Sequence, residues 1–487
     1  MFKFKKLTVI LLCLTLLLSS GVLFGCSNTE NQITTYDIKC SYQDGKVSAT
    51  QTVCFYNNTE KVFDTLKFNL FANAFRENAE YSPVSVSHQT QCYPNGVSYG
   101  DMQIKSVTDG EETLEYSITG EDKNILSIPL KEEVFPGENA TVVIEFVTTL
   151  ANVVHRTGIN EKTVNLANFY PTLCGVDDNG FYECVYYANG DPFFSDVANY
   201  TIEFCTSSEY VVAGSGILTE KINKSDTITY KYSLNNARSF TLVLSKDFKC
   251  LTDTQTGIPI NYYYYDDNSP ESSLEYAVKS VKLFKSLFGE YAFENYTVVQ
   301  TKFVQGGMEF SAFSMISDNL EEKAYGEVIV HETAHQWWQA GVGNNEIEYG
   351  FLDEGLAEYS VVCFYENYPE YGLNRAQLIK SSETTYRTYC TVSDKLFGNV
   401  DTSMIRSLKD FKSEYEYVNL AYVKPCIMYD NLRTTVGEQK FFDSLKTYYS
   451  DNLRKIATPD DLISSFNKRG VDSEGYLRSF FDGKVVI

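Results

Sequence analysis

Several residue types are scarce in this chain. Its 487 residues include four histidines and two tryptophans, and 41 Lys and Arg are outnumbered by 64 Asp and Glu, for a formal net charge of −23. This charge argues against nucleic acid or an anionic lipid surface as a partner. No Cys-x-x-Cys pair occurs among the twelve cysteines, so neither a thiolate zinc site nor a dithiol redox motif is indicated.

A long hydrophobic run is found only at the N-terminus. Three lysines precede an apolar segment over residues 7–18, and Gly25-Cys26 follows. The pattern predicts a signal peptide over residues 1–25, lipidation of Cys26 and a short tether over residues 26–33. The alternative is an uncleaved membrane anchor, because residues 7–24 are nearly long enough to span a bilayer. The first interpretation gives a bacterial lipoprotein held on the extracytoplasmic face of the cell membrane.

The region from residue 34 to residue 250 has the pattern of strands. Apolar and polar residues alternate between Gly, Asn and Asp turns, and helical spacing is nearly absent. With 43% hydrophobic and 15% aromatic residues the chain can fill a large core. We therefore expect an N-terminal antiparallel all-β domain, in which the string from Gly190 to Asp196 is a turn-rich loop.

The pattern changes in residues 251–487. Apolar residues recur at helical intervals over residues 273–288, a strand follows, and the chain is helical in character beyond Ser360. Near the end, Thr458 and Asp461 form the sequence pattern of a capping box at the start of a helix. This region predicts a second, mainly helical domain with a small sheet, so the fold class is multidomain α+β.

The segment from Gly326 to Ser360 contains the strongest chemical motif. His331 and His335 are four residues apart and can share one face of a helix, and Glu354 follows nineteen residues after His335. Two His and one Glu with an open fourth position are the ligands of a catalytic zinc ion, and Glu332 can meet a zinc-activated water. An HExxH string can also arise by chance as a surface histidine pair. The zinc site is favoured because two of only four histidines fall here.

A glycine pair lies upstream of this motif. Gly306 and Gly307 permit a backbone conformation or a close approach that larger residues would forbid. Glu309 could therefore be presented on a sheet edge facing the zinc, the alternative being a solvated strand carboxylate. Downstream, Glu358 lies one turn beyond Glu354, and we expect an exposed helix carboxylate there rather than a partner of a zinc ligand.

Together these motifs resemble the aminopeptidase N (alanyl aminopeptidase) family of gluzincin zinc metallopeptidases. That family joins HExxH to a Glu nineteen residues later, with a Gly-x-Met-Glu-Asn string upstream and a tyrosine in a Tyr-x-Lys-Gly-Ala string downstream. The corresponding strings here are Gly306-Gly307-Met308-Glu309-Phe310 and Tyr422-Val423-Lys424-Pro425-Cys426. The string GDPFFSDVANY is also similar to shorter bacterial members. The resemblance implies a thermolysin-like catalytic domain over residues 251–487.

The resemblance also implies residue roles. One Zn²⁺ would be bound by His331, His335 and Glu354, with Glu332 as general base. Glu309, in one substrate-binding string with Gly306, Gly307 and Met308, would bind the free α-amine of a peptide, and Tyr422 would stabilise the oxyanion. The nearby rivals of this tyrosine are Tyr415, Tyr417 and Tyr429.

Three departures from the family pattern shape the hypotheses. Phe310 replaces the usual Asn, Pro425 and Cys426 replace Gly-Ala, and the chain ends at Ile487 without the large helical domain of longer relatives. We expect an open cleft that can admit longer peptides. The leading hypothesis is an aminopeptidase acting on extracellular peptides with a free N-terminus. The alternatives are a zinc endopeptidase and an inactive peptide-binding lipoprotein. The complete set of zinc-site residues argues against the second of these.

Overall fold

The computed structural model of the protein describes residues 32–398 and 400–485. The expected signal peptide and Cys26 lie outside these residues, so lipidation remains a prediction. Among the described helices, none combines the length and the apolar character needed to cross a bilayer.

The N-terminal domain is built around a seven-stranded sheet in which buried and exposed residues alternate, as the sequence predicts. In spatial order its strands are Ile217–Asn223, Thr227–Ala237, Ala198–Ser207, Thr35–Gln43, Lys46–Tyr56, Asn139–Thr149 and Asp101–Thr108. The sheet differs from the prediction at one pair, because Thr35–Gln43 and Ala198–Ser207 are parallel. Most of the domain's chain separates these two strands, so no hairpin sets their relative direction.

Smaller sheets complete this domain. One contains Thr172–Leu173, Phe63–Asn69, Ile125–Val134 and Ser117–Thr119, and another contains Val211–Gly214, Leu242–Ser245, Val164–Leu166 and Thr157–Ile159. Val176–Asp177 pairs with Gly180–Phe181. Short helical turns lie at Phe71–Phe75, Val86–His88 and Gln89–Cys92. The Gly190–Asp196 string is a loop, as predicted.

The second domain opens with a five-stranded sheet. Its spatial order is Lys249–Asp253, Ile260–Tyr264, Tyr296–Thr301, Phe313–Ser317 and Gly307–Phe310. The last of these, here named the edge strand, is antiparallel to its neighbour. Its position confirms that Glu309 lies at a sheet edge.

Helices make up the rest of the second domain. They are Pro270–Phe288, Glu322–Ala334, Glu346–Tyr349, Phe351–Asn367, Pro369–Tyr371, Arg375–Phe397, Leu408–Asp410, Glu414–Val418, Asn419–Val423, Lys424–Val436, Glu438–Asn452, Pro459–Lys468 and Glu474–Phe481, with a two-residue strand pair Gly343–Asn344 and Ile456–Ala457. The capping box at Thr458 and Asp461 is present. We name Glu322–Ala334 the HExxH helix and Phe351–Asn367 the Glu354 helix.

One buried arginine joins the two domains. Arg238, from the end of a strand in the first domain, donates to the carbonyl oxygens of Ser195 (3.0 Å), Gln339 (2.9 Å) and Lys455 (2.7 Å). Gln339 and Lys455 belong to the second domain, and Gln339 lies four residues after His335. The side chain is 3% exposed, so these bonds fix the β-domain against the loop that leaves the HExxH helix.

Candidate metal centre and active site

The HExxH helix and the Glu354 helix bring three ligand atoms to one point. Nε2 of His335 lies 3.1 Å from Nε2 of His331 and 3.1 Å from Oε2 of Glu354, and the His331–Glu354 distance is 3.2 Å. His331 is on the helix and His335 caps its C-terminus. The two side chains reach the same point, as their four-residue spacing predicted. Burial acts to raise the pKa of Glu354, but the two imidazoles outweigh it and hold that pKa at about 2.

Polar contacts on the far side of each imidazole orient the ring. Nδ1 of His335 is 2.9 Å from the carbonyl oxygen of Trp338, and Nδ1 of His331 is 3.3 Å from Oε2 of Glu358. Each acceptor assigns the ring proton to Nδ1, which leaves the Nε2 lone pairs directed at the common point. Glu358 thus contacts a candidate zinc ligand, contrary to the expectation of an exposed carboxylate.

This donor set fits a zinc ion. Two neutral imidazole nitrogens and an ionised carboxylate are typical catalytic zinc ligands, and a tetrahedral site with bonds of about 2.0–2.1 Å has ligand–ligand edges of about 3.4 Å. The three measured separations are close to that value. Without a cation, three lone pairs would face one another in a buried space.

Glu332 lies beside these ligands and against the edge strand. It is 5% exposed, and Oε2 has no hydrogen-bond partner among the described residues. Burial is the largest cause that raises the pKa of its carboxyl to about 7, while the two histidines oppose the shift. Gly307 leaves room for this side chain: a Cβ added there would lie 2.7 Å from Cγ of Glu332. Gly307 has no left-handed φ, so close approach is the reason for this glycine.

Glu309 lies close to Glu332 and His335. It is 4% exposed, and its Oε1 has no hydrogen-bond partner among the described residues. Gln336, two residues after the end of the HExxH helix, connects that helix to the edge strand. Its side-chain amide donates to the carbonyl oxygen of Phe310 (3.0 Å) and accepts from the backbone N–H of Ala312 (2.9 Å). Phe310 packs into an apolar cluster with Phe313, so the replacement of the family's Asn leaves Glu309 in place.

Tyr422 is the tyrosine that reaches the ligands. Its hydroxyl donates to Oε1 of Glu354, and its ring stacks on His331 with centroids 5.8 Å apart. Pro425 lies in the next helix, Lys424–Val436, and packs against Gly355, where an added Cβ would lie 2.7 Å from Cγ of Pro425. Of the rivals, Tyr415 is 47% exposed and Tyr429 is buried against Tyr359.

Two residues of the site come from the β-domain and were not predicted from the sequence. Arg156 and Asp191 form a buried ion pair, and the same Nη1 lies 2.9 Å from Sδ of Met308. Asp191 places a carboxylate oxygen within 4.8 Å of oxygens of Glu309 and Glu354. The GDPFFSD string contained this residue, but local sequence could not show that its loop turns towards the second domain.

These residues line one cleft of ≈ 630 Å³ between the domains. Its walls include the three ligand residues and Gly306, Gly307, Met308, Glu309, Glu332 and Tyr422. Glu327, one turn before His331, and Glu358, one turn after Glu354, also line it. The structure therefore places every residue of the expected site, apart from the lipidation site, around a single cavity.

Comparisons with known proteins agree with this geometry. Residues 272–483 match the family model described as Peptidase family M1 domain. Over this range the chain is similar to peptidase family M1. The M1 zinc metallopeptidase from Deinococcus radiodurans has a similar structure, with a TM-score of 0.66 and 16% identity over 94% of this chain and 95% of that chain. A variant of that protein bound to the substrate Tyr-Ser-Ala gives 0.63 and 15% over the same shares.

A fungal relative matches a smaller part of the chain. Leucine aminopeptidase 2 of Aspergillus niger is 26% identical over 175 residues, which are 34% of this chain and 26% of that protein. The match to this relative thus spans about a quarter of its length. The solved M1 structures show the shared two-domain fold, and the family match covers the domain that carries the candidate metal centre.

Proposed function

We propose that the protein is a zinc-dependent aminopeptidase that removes the first residue from peptides with a free N-terminus. The observation that carries the proposal is the convergence of His331, His335 and Glu354 beside two buried carboxylates, Glu332 and Glu309, each with an oxygen lacking a partner among the described residues. The first set suits one zinc ion, and the second suits a water and an ammonium group. The matched family and the name of the fungal relative support this function.

Glu332 is the proposed general base. A zinc ion held by His331, His335 and Glu354 supplies Lewis-acid chemistry, lowering the pKa of water towards ~7 and polarising the scissile carbonyl. The unpartnered Oε2 of Glu332 can accept the proton of the attacking water and return it to the leaving amine. The close fit against Gly307 keeps this carboxylate in one position between the edge strand and the ligands.

Tyr422 is the proposed oxyanion stabiliser. Its phenol is partly buried beside Glu354, and desolvation together with the Glu354 charge holds its pKa well above the usual value, so the hydroxyl keeps its proton. The same hydroxyl can donate to the carbonyl oxygen of a bound peptide as negative charge develops there.

Glu309 is the proposed anchor for the α-amine. A buried carboxylate without a cationic partner gains a charge-assisted hydrogen bond when an ammonium group binds. Asp191 lies close enough to share that group, since its carboxylate oxygen is within 4.8 Å of Glu309. Glu309 groups with His335 and Asp191 groups with Glu354, so a peptide amine held by these two carboxylates would place the first residue directly against the metal centre.

The deciding experiment compares one peptide with a free N-terminus and the same peptide acetylated, using purified residues 27–487. We expect cleavage of the free peptide only, released one residue at a time. Glu332→Gln should abolish this activity while zinc content, measured by atomic absorption, stays near one ion per chain. A chelator should remove both zinc and activity.

Two outcomes would replace the proposal. Equal cleavage of the acetylated peptide would show that Glu309 does not select an ammonium group, and would favour a zinc endopeptidase on the same scaffold. Binding of peptides without any cleavage by the zinc-loaded protein would favour a peptide-binding protein.

A membrane tether is part of the proposal and rests on the sequence pattern alone. Lipidation of Cys26 would hold the enzyme on the extracytoplasmic face of a bacterial membrane. Metabolic labelling with a fatty-acid analogue should mark the wild-type chain and not Cys26→Ala, which should instead be recovered in the medium or periplasm. Recovery of labelled Cys26→Ala would contradict the lipoprotein assignment.

A further inference from the structure

The cleft contains more acidic residues than the proposed chemistry uses. Besides Glu309, Glu332 and Glu354 it is lined by Asp191, Glu327, Glu358 and Glu414. Among the described residues that line it, no lysine is present and the single arginine, Arg156, is paired with Asp191. Glu358 also has a partner, because it contacts Nδ1 of His331. Glu327 is different: no hydrogen bond or ion pair to its side chain is found among the described residues.

The place of Glu327 along the HExxH helix determines what it can contact. Glu309 groups with Glu332 and His335, at the C-terminal end of that helix. Glu327 lies one turn before His331, eight residues from His335, which corresponds to about 12 Å along an α-helix. The α-amine of a peptide is only about 2.5 Å from the carbonyl carbon of its own residue. With the α-amine held at the His335 end, the residue that follows the scissile bond lies nearer to Glu327 than the first residue does, so its side chain is the better placed to reach this carboxylate.

The surroundings of Glu327 suit a long cationic side chain. Val328, next to it in the chain, and Val361 line the same cleft and offer apolar contact, and Glu327 itself is partly exposed. Lysine and arginine pair an aliphatic stem with a charged head, so the stem can lie on the valines while the head reaches the carboxylate. Glu358, which faces the same part of the cleft one turn beyond Glu354, adds negative charge and increases the attraction.

Two further carboxylates show that the cavity containing Glu327 accommodates a ligand. Oε1 of Glu309 and Oε2 of Glu332 belong to side chains that are 4% and 5% exposed, both face the cleft, and neither has a partner among the described residues. Buried carboxylate oxygens are rarely left unpaired unless a ligand or an ion completes them.

We propose that Glu327 is a specificity-determining residue that binds a lysine or arginine side chain at the second position of the peptide. This inference rests on the aminopeptidase function proposed above and adds a substrate class to it: peptides whose second residue is basic. Glu358 contributes its charge without being the direct partner, because it is occupied by His331.

The test uses two peptides that differ only at the second residue, Ala-Lys-Ala-Ala and Ala-norleucine-Ala-Ala, which have side chains of similar length with and without charge. We expect kcat/KM to favour the lysine peptide by about 10-fold at low salt, since a charge-assisted pair of this kind is worth about one factor of ten. The preference should shrink as ionic strength rises.

Variants separate Glu327 from the general acidity of the cleft. Glu327→Gln should bring the lysine-to-norleucine ratio close to one, and Glu327→Lys should favour a peptide with glutamate at the second position. Glu414→Gln is the matched control, because Glu414 also lines the cleft but is exposed and lies on another helix, Glu414–Val418. It should retain the wild-type ratio.

A wild-type ratio near one, or an unchanged ratio in Glu327→Gln, would overturn the proposal while leaving the aminopeptidase function intact. If wild type cleaves neither peptide, the proposed function fails instead, and the same comparison is made by calorimetric Kd. Equal Kd values for the two peptides would then overturn the role of Glu327, and tighter binding of the lysine peptide that is lost in Glu327→Gln would support it.

Discussion

Gly307 lies so close to Glu332 that no side chain fits between them. A Cβ added at Gly307 would lie 2.6 Å from the carboxyl carbon of Glu332 and 2.7 Å from its Cγ. The nearest atoms belong to the end of a side chain rather than to backbone, so the carboxylate can move aside at small cost to folding. The proposed general base would then no longer be where the reaction needs it.

Gly307→Ala is therefore expected to lower kcat by roughly 100-fold, the size of effect that misplacing a catalytic group by about 1 Å produces. The melting temperature and zinc content should change little. Gly306→Ala is the matched control, because a Cβ there would meet only Cγ2 of Val328 at an ordinary 3.4 Å. Equal losses of activity in the two variants would show that the tight contact with Glu332 does not matter.

The sequence predicted the parts of this site that depend on local spacing. His331 and His335 share a face because a helix repeats every 3.6 residues. The two glycines before Glu309 indicated a sheet edge, and Gly307–Phe310 is the edge strand. Asp191 and Arg156 could not be placed in this way, since both belong to the β-domain and more than one hundred residues separate them from Glu309. Glu358 was misjudged because a four-residue spacing from Glu354 does not reveal which neighbour the carboxylate meets.

Glu358→Gln is expected to weaken zinc binding. Its carboxylate lies 3.3 Å from Nδ1 of His331, where it orients the ring and increases the basicity of Nε2. Loss of such a partner typically costs 10- to 100-fold in metal affinity. The measurement is competition with a chelator of known affinity, and Glu414→Gln, another cleft carboxylate that is distant from His331 in sequence, is the control. An unchanged zinc Kd in Glu358→Gln would mean that the contact has no role in holding the metal.

Tyr422→Phe should separate chemistry from metal binding. The ring can still stack on His331, whereas the hydroxyl that donates to Glu354 is lost. We expect kcat to fall by about 10²–10³-fold, as for removal of one oxyanion donor, with KM nearly unchanged, when both proteins are assayed saturated with zinc. Tyr429→Phe, which changes a buried tyrosine away from the ligands, should keep normal activity. A normal kcat in Tyr422→Phe would direct attention to Tyr417, which packs edge-on against Tyr422.

Arg238→Lys should destabilise the contact between the domains. The guanidinium reaches three carbonyl oxygens in different directions, and a single ammonium group cannot replace all three bonds. Leaving buried carbonyls unsatisfied should lower the free energy of unfolding by about 3 kcal/mol. Urea titration of this variant beside Arg454→Lys, a change at an exposed arginine, measures the difference. Equal midpoints would show that Arg238 is not needed to join the domains.

His155 should make the stability of the fold depend on pH. The ring is 1% exposed and packs edge-on against Phe75 and Phe303, with centroids 5.3 Å and 6.4 Å away. Burial, together with the charge of Arg156, lowers its pKa from 6.5 to about 3. The imidazole therefore binds a proton below about pH 6.5 in the unfolded chain, but only near pH 3 in the folded chain. Stability from this residue is complete above pH 6.5 and is lost as the pH falls through that window.

His155→Phe removes this proton uptake and keeps an aromatic ring in the same pocket. Between pH 7 and pH 5 the wild-type protein should lose about 2 kcal/mol more unfolding free energy than this variant, as the linkage relation gives for one group over that range. The measurement is urea unfolding at both pH values. Parallel losses in wild type and His155→Phe would mean that the buried imidazole takes up its proton in the folded state, and that carboxylates elsewhere cause the acid sensitivity.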